Sequence, residues 1–225
     1  MSERIAFYIK KEELEEFFDT RIQRESLFEP HYNLAPAQHI PVLFSGGEDQ
    51  EEESPLQMKR IRWGLDREEF QSNEHSLEIE EALEGVKKGN YHPCVIPISG
   101  YYKWKRSGKR ADQPFFVRML DESLMALAGV AVKEPSGGKG EDDLTACAII
   151  LTESNALIQP LVEKMPLQLT KELSQAWIQG LTSPEELLEE AKGKFHMTDF
   201  TVHRVSSKVN DLSENSPELI QPLPK

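Results

Sequence analysis

Residues 90–110 read NYHPCVIPISGYYKWKRSGKR. The middle, Cys94-Val95-Ile96-Pro97-Ile98, is a short apolar run of the kind that forms a buried strand. A turn at Ser99-Gly100 leads into Tyr101-Tyr102-Lys103-Trp104-Lys105, and Arg106, Lys109 and Arg110 follow. Strand alternation sends Tyr101, Lys103 and Lys105 to one face and Tyr102 and Trp104 to the other. One face is expected to pack into a core while the other presents cations. An ordinary amphipathic strand ending in a basic surface turn would read the same way. What surrounds the stretch decides between the two.

The chain has 225 residues, enough for one large domain or two small ones. Hydrophobic residues make up 38% and are spread along the sequence, which argues for a folded protein and against a disordered one. No apolar run approaches the roughly 18 residues of a membrane helix. The opening MSERIAFYIKKEELEE lacks the apolar block of a signal peptide. A cytoplasmic protein with no membrane contact is expected. Cys94 and Cys147 both sit in apolar runs and read as buried, reduced thiols. Neither has a Cys or His companion at metal-ligand spacing, so no metal and no cofactor are expected. The net charge of -13 argues against broad affinity for a phosphate backbone. Cations nevertheless cluster at 59–62 and 103–110, which allows a local positive groove on an acidic protein.

Taken in order, 5–9 reads as a strand and 11–19 as a helix with Leu14, Phe17 and Phe18 on one side. Residues 32–44 are extended, 46–54 form an acidic hairpin tip, and 58–65 return as a strand. A turn is expected at 72–76 and a short helix over 77–83, closed by Gly85. Strands follow at 114–120, 124–132 and 144–152, with a Gly-rich mobile loop over 133–143. Thr170 is the expected N-cap, and Gly180 the stop, of another helix. Ser183 and Pro184 open a fourth, with Glu186 completing a capping box. A strand over 200–205 and a Pro-containing tail end the chain. About eight strands stand against four helices, mostly as consecutive strands. The expected fold class is α+β: one domain over 1–225, a mostly antiparallel, barrel-like sheet core with peripheral helices, the loops 46–54 and 133–143 as mobile insertions, and the tail 206–225 packed on the domain.

Several segments, in this order, resemble the SRAP family, the SOS-response-associated peptidases or abasic-site processing proteins. They are Met1-x-x-Arg4, Tyr32-Asn33-Leu34-Ala35-Pro36, Arg62-Trp63-Gly64-Leu65, Asn73 in a short turn, and residues 94–104. The set continues with Ala128-Gly129-Val130, Leu151-Thr152-Glu153-Ser154-Asn155, Lys164-Met165-Pro166, Val205-Ser206-Ser207-Lys208-Val209-Asn210 and Ser216-Pro217-Glu218-Leu219-Ile220. Each is weak alone, but the ordered set spans nearly the whole chain. The resemblance implies that Met1 is lost and that the new N-terminal residue, a cysteine in the family, captures the open-chain aldehyde of an abasic site in single-stranded DNA as a thiazolidine. An α-amine with a pKa of about 7.7–8.0 can attack an aldehyde near neutrality, and the thiol closes the ring. A glutamate, a histidine and an asparagine assist.

The family's catalytic positions fall here on Ser2, Lys103, Val162 and Asn73, so that only the asparagine is kept. Ser2 replaces the cysteine, Lys103 the glutamate and Val162 the histidine. A hydroxyl is a poorer nucleophile than a thiol, a lysine cannot act as a carboxylic acid, and a valine cannot move a proton. Lys103 reads as a solvated cation or phosphate contact, or as a Schiff-base amine if desolvated. Glu163, beside Val162, is expected to face the other way in extended chain. The resemblance assigns DNA contacts to Arg4, Asn33, Arg62, Trp63, His75 and Thr152, with Trp63 or Tyr101 able to stack on a base. His75 also reads as a plain surface-turn histidine. The expected protein is a degenerate member, a monomer that binds single-stranded DNA or a protein partner without a stable crosslink. The alternatives are a weak abasic-site lyase using the Ser2 α-amine, and a self-processing peptidase as the family name implies, for which no acid/base pair remains.

Overall fold

The apolar run Cys94 to Ile98 lies inside a strand, His92–Ile98, whose last five residues are all buried. A strand buried on both faces must be covered on both, and the rest of the chain is arranged to do so. The structure is a computed structural model that describes residues 4–22, 24–46, 56–67, 72–105, 112–133 and 144–224. Its strands begin with β1 (Arg4–Phe7), β2 (His31–Leu34), β3 (His39–Ser45), β4 (Leu56–Trp63) and β5 (Leu65–Arg67). Next come β6 (Ser72–Glu74), β7 (Ser76–Glu78), β8 (His92–Ile98), β9 (Gly100–Lys105) and β10 (Gln113–Met119). The last are β11 (Met125–Val132), β12 (Ala146–Glu153), β13 (Lys164–Pro166), β14 (Gln168–Leu169) and β15 (Phe200–Arg204). The helices are α1 (Lys11–Phe18), α2 (Ile79–Lys87), α3 (Lys171–Gln179) and α4 (Pro184–Ala191). Among the described residues no helix is long and apolar enough to cross a membrane.

Strands β4, β3, β8, β11 and β12 pair in that order, and β12 pairs back onto β4, so the sheet closes on itself. The β12–β4 junction is parallel and the other four are antiparallel. Closure removes free edges, which is how a small barrel satisfies its backbone. The α+β class with a barrel-like core is what the sequence implied. The expected count of eight strands falls short of the fifteen described, because it misses pieces of two to four residues such as β5, β6, β7, β13 and β14.

The second sheet has the order β15-β10-β9-β1-β2. Only Ser99 separates β8 in the barrel from β9 in this sheet. The Ser99 amide donates to the Ala6 carbonyl at 2.8 Å, and its hydroxyl oxygen accepts the Tyr8 amide at 2.9 Å. A Cβ on Gly100 would sit 2.7 Å from the Val117 carbonyl oxygen and against the Phe116 ring. The corner therefore needs glycine for space.

α3 covers the barrel. Thr170 Oγ1 caps it by accepting the Leu173 amide, and Gly180 at φ 64° ends it, both as expected. The buried Trp177 indole donates to the carbonyls of Cys94 and Gly129, at 3.1 and 3.0 Å, and so fastens the helix across β8 and β11. Three local expectations need correction. Residues 72–78 form β6 and β7, with the helix starting at Ile79, because β6 pairs with β5 and β7 runs parallel to β12. α2 continues past Gly85 to Lys87, where the missing side chain leaves room for the Tyr91 ring. The Ser183 hydroxyl donates to Glu185 Oε2 and does not cap α4.

The outer face of the second sheet is covered by the chain's own tail. Ala6, Tyr102 and Phe116 pack with Val205, Val209 and Leu219 in a second apolar cluster. The buried Asn33 amide nitrogen donates to the carbonyls of Val209, Asp211 and Glu214, at 3.2, 2.9 and 3.2 Å. His203 Nε2 lies 2.8 Å from the Ile220 carbonyl oxygen. Apart from Gly46 and Lys133, the two segments expected as loops, 46–54 and 133–143, lie outside the described residues.

Three outcomes follow from this packing. Gly100→Ala should lower stability by about 1–3 kcal/mol in a urea titration, because the core has no room for one more methyl group. Asn33→Ala should cost about 1–3 kcal/mol, because it strips a donor from buried carbonyls, and should speed cleavage of the tail in limited proteolysis. Burial raises the pKa of both Cys94 and Cys147. Neither thiol should react with a thiol reagent in the native protein, and both should titrate after denaturation.

Candidate functional site

Alternation along β9 decides what meets where. Tyr101 joins the main core, and Tyr102 joins the cluster under the tail. The first four residues of β9 are buried and Lys103 is the fourth, with 5% of its surface exposed. This corrects the expectation of a solvated cation. The Lys103 Nζ lies 5.9 Å from the centroid of the Tyr101 ring, within cation–π range.

The wall opposite Lys103 is built by the chain as it leaves β12. The Asn155 side-chain oxygen accepts the amides of Leu157 and Ile158, both at 3.1 Å, and starts a run of turns. The Ile158 carbonyl accepts the amides of Leu161 and Val162, and the Glu163 carbonyl accepts the Ser154 amide. Residues 160–164 then face Lys103, Trp104 and Lys105 across an open groove of about 780 Å³. Asp112 and Asn210 complete its rim. Trp104 Nε1 donates to Asn210 Oδ1 at 2.8 Å, so the tail supplies part of the groove. Glu163 lines the groove together with Val162. The expectation that it faces away fails because this segment is turn and bend, not extended chain.

The groove carries three lysines in different states. Lys164 Nζ is held by Glu153 Oε1 at 2.7 Å and Glu78 Oε2 at 2.8 Å. The hydrogen bond to Glu153, and then that to Glu78, raises its pKa, so it stays an ammonium. Lys105 is exposed at the strand end, and Lys103 is buried. The exposed carboxylates Asp112 and Glu163 line the same groove.

The other described residues chosen from the sequence are not among those lining this groove. Ser2 lies outside the described residues. Arg4 is half-buried, which lowers its pKa, and pairs with Tyr102, the neighbour of Lys103. The backbone of Asn73 pairs with Asp66 in the β5–β6 hairpin. Arg62 lies half-buried near the end of β4, opposite His39 and Ala146. Thr152 is buried in β12, opposite Met165. Trp63 is 0% exposed, and its indole donates to the His75 carbonyl at 2.8 Å. The His75 ring stands edge-on to it at 5.8 Å. With Tyr101 only 3% exposed, neither ring offers a face to a base, and the stacking expectation fails. Asn33 is likewise buried against the tail and meets no solvent.

Lys103 and Val162, two positions chosen by resemblance, therefore share one groove. Asn210 and Asp112 were not singled out for it. Asn210 reaches Trp104 across 106 residues of sequence, and local pattern cannot reveal such a contact.

Comparison with known proteins gives one consistent result. The chain is 27% identical over 218 residues to the abasic site processing protein YoqW of Bacillus subtilis (strain 168), covering 92% of this chain and 93% of that one. It is 26% identical over 201 residues to the abasic site processing protein YoaM of the same organism, covering 86% and 85%. The X-ray crystal structure of a protein from Bacteroides thetaiotaomicron has a TM-score of 0.77 at 16% identity, covering 98% of this chain and 99% of that one, a likeness of fold. A family model described as SOS response associated peptidase (SRAP) matches residues 1–212. The chain belongs to the SRAP family.

Proposed function

We propose that this chain binds abasic-site single-stranded DNA in the groove between β9 and residues 160–164, without forming a durable crosslink. One observation carries the reading. Lys103 and Val162, where the family resemblance places a glutamate and a histidine, line a single groove together with two further lysines. Lys103 and Lys105 offer cations to a strand of phosphates. Lys164 is engaged by Glu153 and Glu78, and the rim carboxylates Asp112 and Glu163 limit the contact to few phosphates. The lost acid and imidazole suit loss of proton transfer. The names of the relatives supply the abasic site.

The α-amine of Ser2 offers a second reading, a weak abasic-site lyase working through a Schiff base. Ser2 stands two residues before Arg4 in the sequence. Serine in place of cysteine leaves the imine without a thiol to trap it as a thiazolidine.

An anisotropy titration with an abasic single-stranded oligonucleotide tests the binding. Two phosphate contacts on a single strand give a log–log salt slope of about -1.4, so affinity should fall about 7-fold from 50 to 200 mM salt. The complex should dissolve on a denaturing gel. Absence of binding at ~50 mM salt would reject the DNA reading. A heat-stable adduct formed without added reductant would reject the absence of a crosslink.

A further inference from the structure

We propose that Lys103 is an aldehyde-capturing amine, and that its ε-nitrogen forms a reversible imine with the open-chain sugar in the groove. This rests on the reading of that groove as the abasic-site pocket. Its own support is the contrast among the three lysines there. Lys164 is clamped by two carboxylates, at 2.7 and 2.8 Å, and is held as an ammonium with no lone pair to offer. Lys105 is an ordinary exposed surface amine at the strand end. Lys103 alone combines burial with a position in the groove wall. The Tyr101 ring backs it at 5.9 Å, and the apolar side chains of Leu161 and Val162 line the groove with it. An imine held in a sheltered, partly apolar site meets less water than one on the surface and hydrolyses more slowly.

The step balances without a cofactor. The ammonium gives one proton to solvent, and the freed amine adds to the aldehyde carbon. The resulting carbinolamine loses one water and becomes the imine. Nothing is oxidised or reduced, and addition of water returns amine and aldehyde. Solvent water can carry the protons of the carbinolamine step, and Glu163 lines the same groove.

The wild-type protein can be tested directly, which avoids a variant that might fail to fold. It is incubated with 2-deoxyribose 5-phosphate and cyanoborohydride, digested, and mapped by mass spectrometry. In parallel it is incubated with an abasic single-stranded oligonucleotide and borohydride. Reduced adducts concentrated on Lys103, and lost from that position in K103R, are the expected result. Label confined to the N-terminal amine, or spread over exposed lysines with Lys103 unmodified, overturns the proposal. If the oligonucleotide binds and Lys103 stays unmodified by either probe, the assignment of Lys103 fails while the DNA reading stands. If the sugar phosphate labels Lys103 and the oligonucleotide does not bind, the DNA reading fails while the amine chemistry stands.

Discussion

The corner at Ser99 and Gly100 fixes the relation between the two sheets. The chain leaves the barrel and enters the second sheet across one residue, and that residue's amide and hydroxyl are both bonded to the segment just after β1 or at its end. With no linker to flex and no space for a Cβ, β9 leaves the barrel in one direction. Lys103 lies three residues beyond the glycine, and the opposite wall of the groove is rooted in β12 of the barrel. The groove's width is thus set by backbone hydrogen bonds and packing and not by surface side chains. Packed interiors transmit such constraints because they have little free volume.

The second sheet poses a separate problem, since a sheet with one face on the barrel still has another to cover. Residues 205–224 do this, and the buried Asn33 amide ties them down through three carbonyls. A hydrogen-bonding group spent in this way is unavailable for a ligand. The same tail brings Asn210 to the Trp104 indole, so the fold's need to bury Tyr102 and Phe116 also shapes the groove. Charge works on a longer range. The whole chain carries -13, yet three lysines line this one groove. At physiological salt, screening over about 8 Å weakens the remote acidic charge, so the groove's own balance of lysines against Asp112, Glu163 and the Lys164 clamp sets the local field.

Much of this was legible in the residues. The alternation of Tyr101 against Tyr102 separates two faces, as strand periodicity implies, but both enter apolar clusters where one was expected to present cations. Thr170 and Gly180 mark both ends of α3, because capping is local chemistry. What escaped depends on distant pairing. Residues 72–78 contain turn formers, and only their partners in β5 and β12 make them strands. Lys103 reads as a surface cation until the depth to which β9 is buried is known. Glu163 departs from strand alternation because its segment is turn and bend. Trp63 and Asn33 read as DNA contacts and are buried in the fold, because sequence cannot separate a side chain that touches a ligand from one that holds the scaffold beneath it.

On the reading proposed above, the departures at Lys103 and Val162 are best understood as one change. The two positions line the same groove, so each residue sets the electrostatic environment of the other. A lysine opposite a protonated imidazole would place two cations in a sheltered space. Valine removes their repulsion and adds an apolar wall, at the expense of the proton relay. A lysine opposite valine can remain buried where a lysine opposite a protonated histidine would be driven outward. The pairing is self-consistent for a groove that holds its cation by packing and meets its ligand through charge and amine chemistry. It is inconsistent with a groove that still depends on an acid and an imidazole.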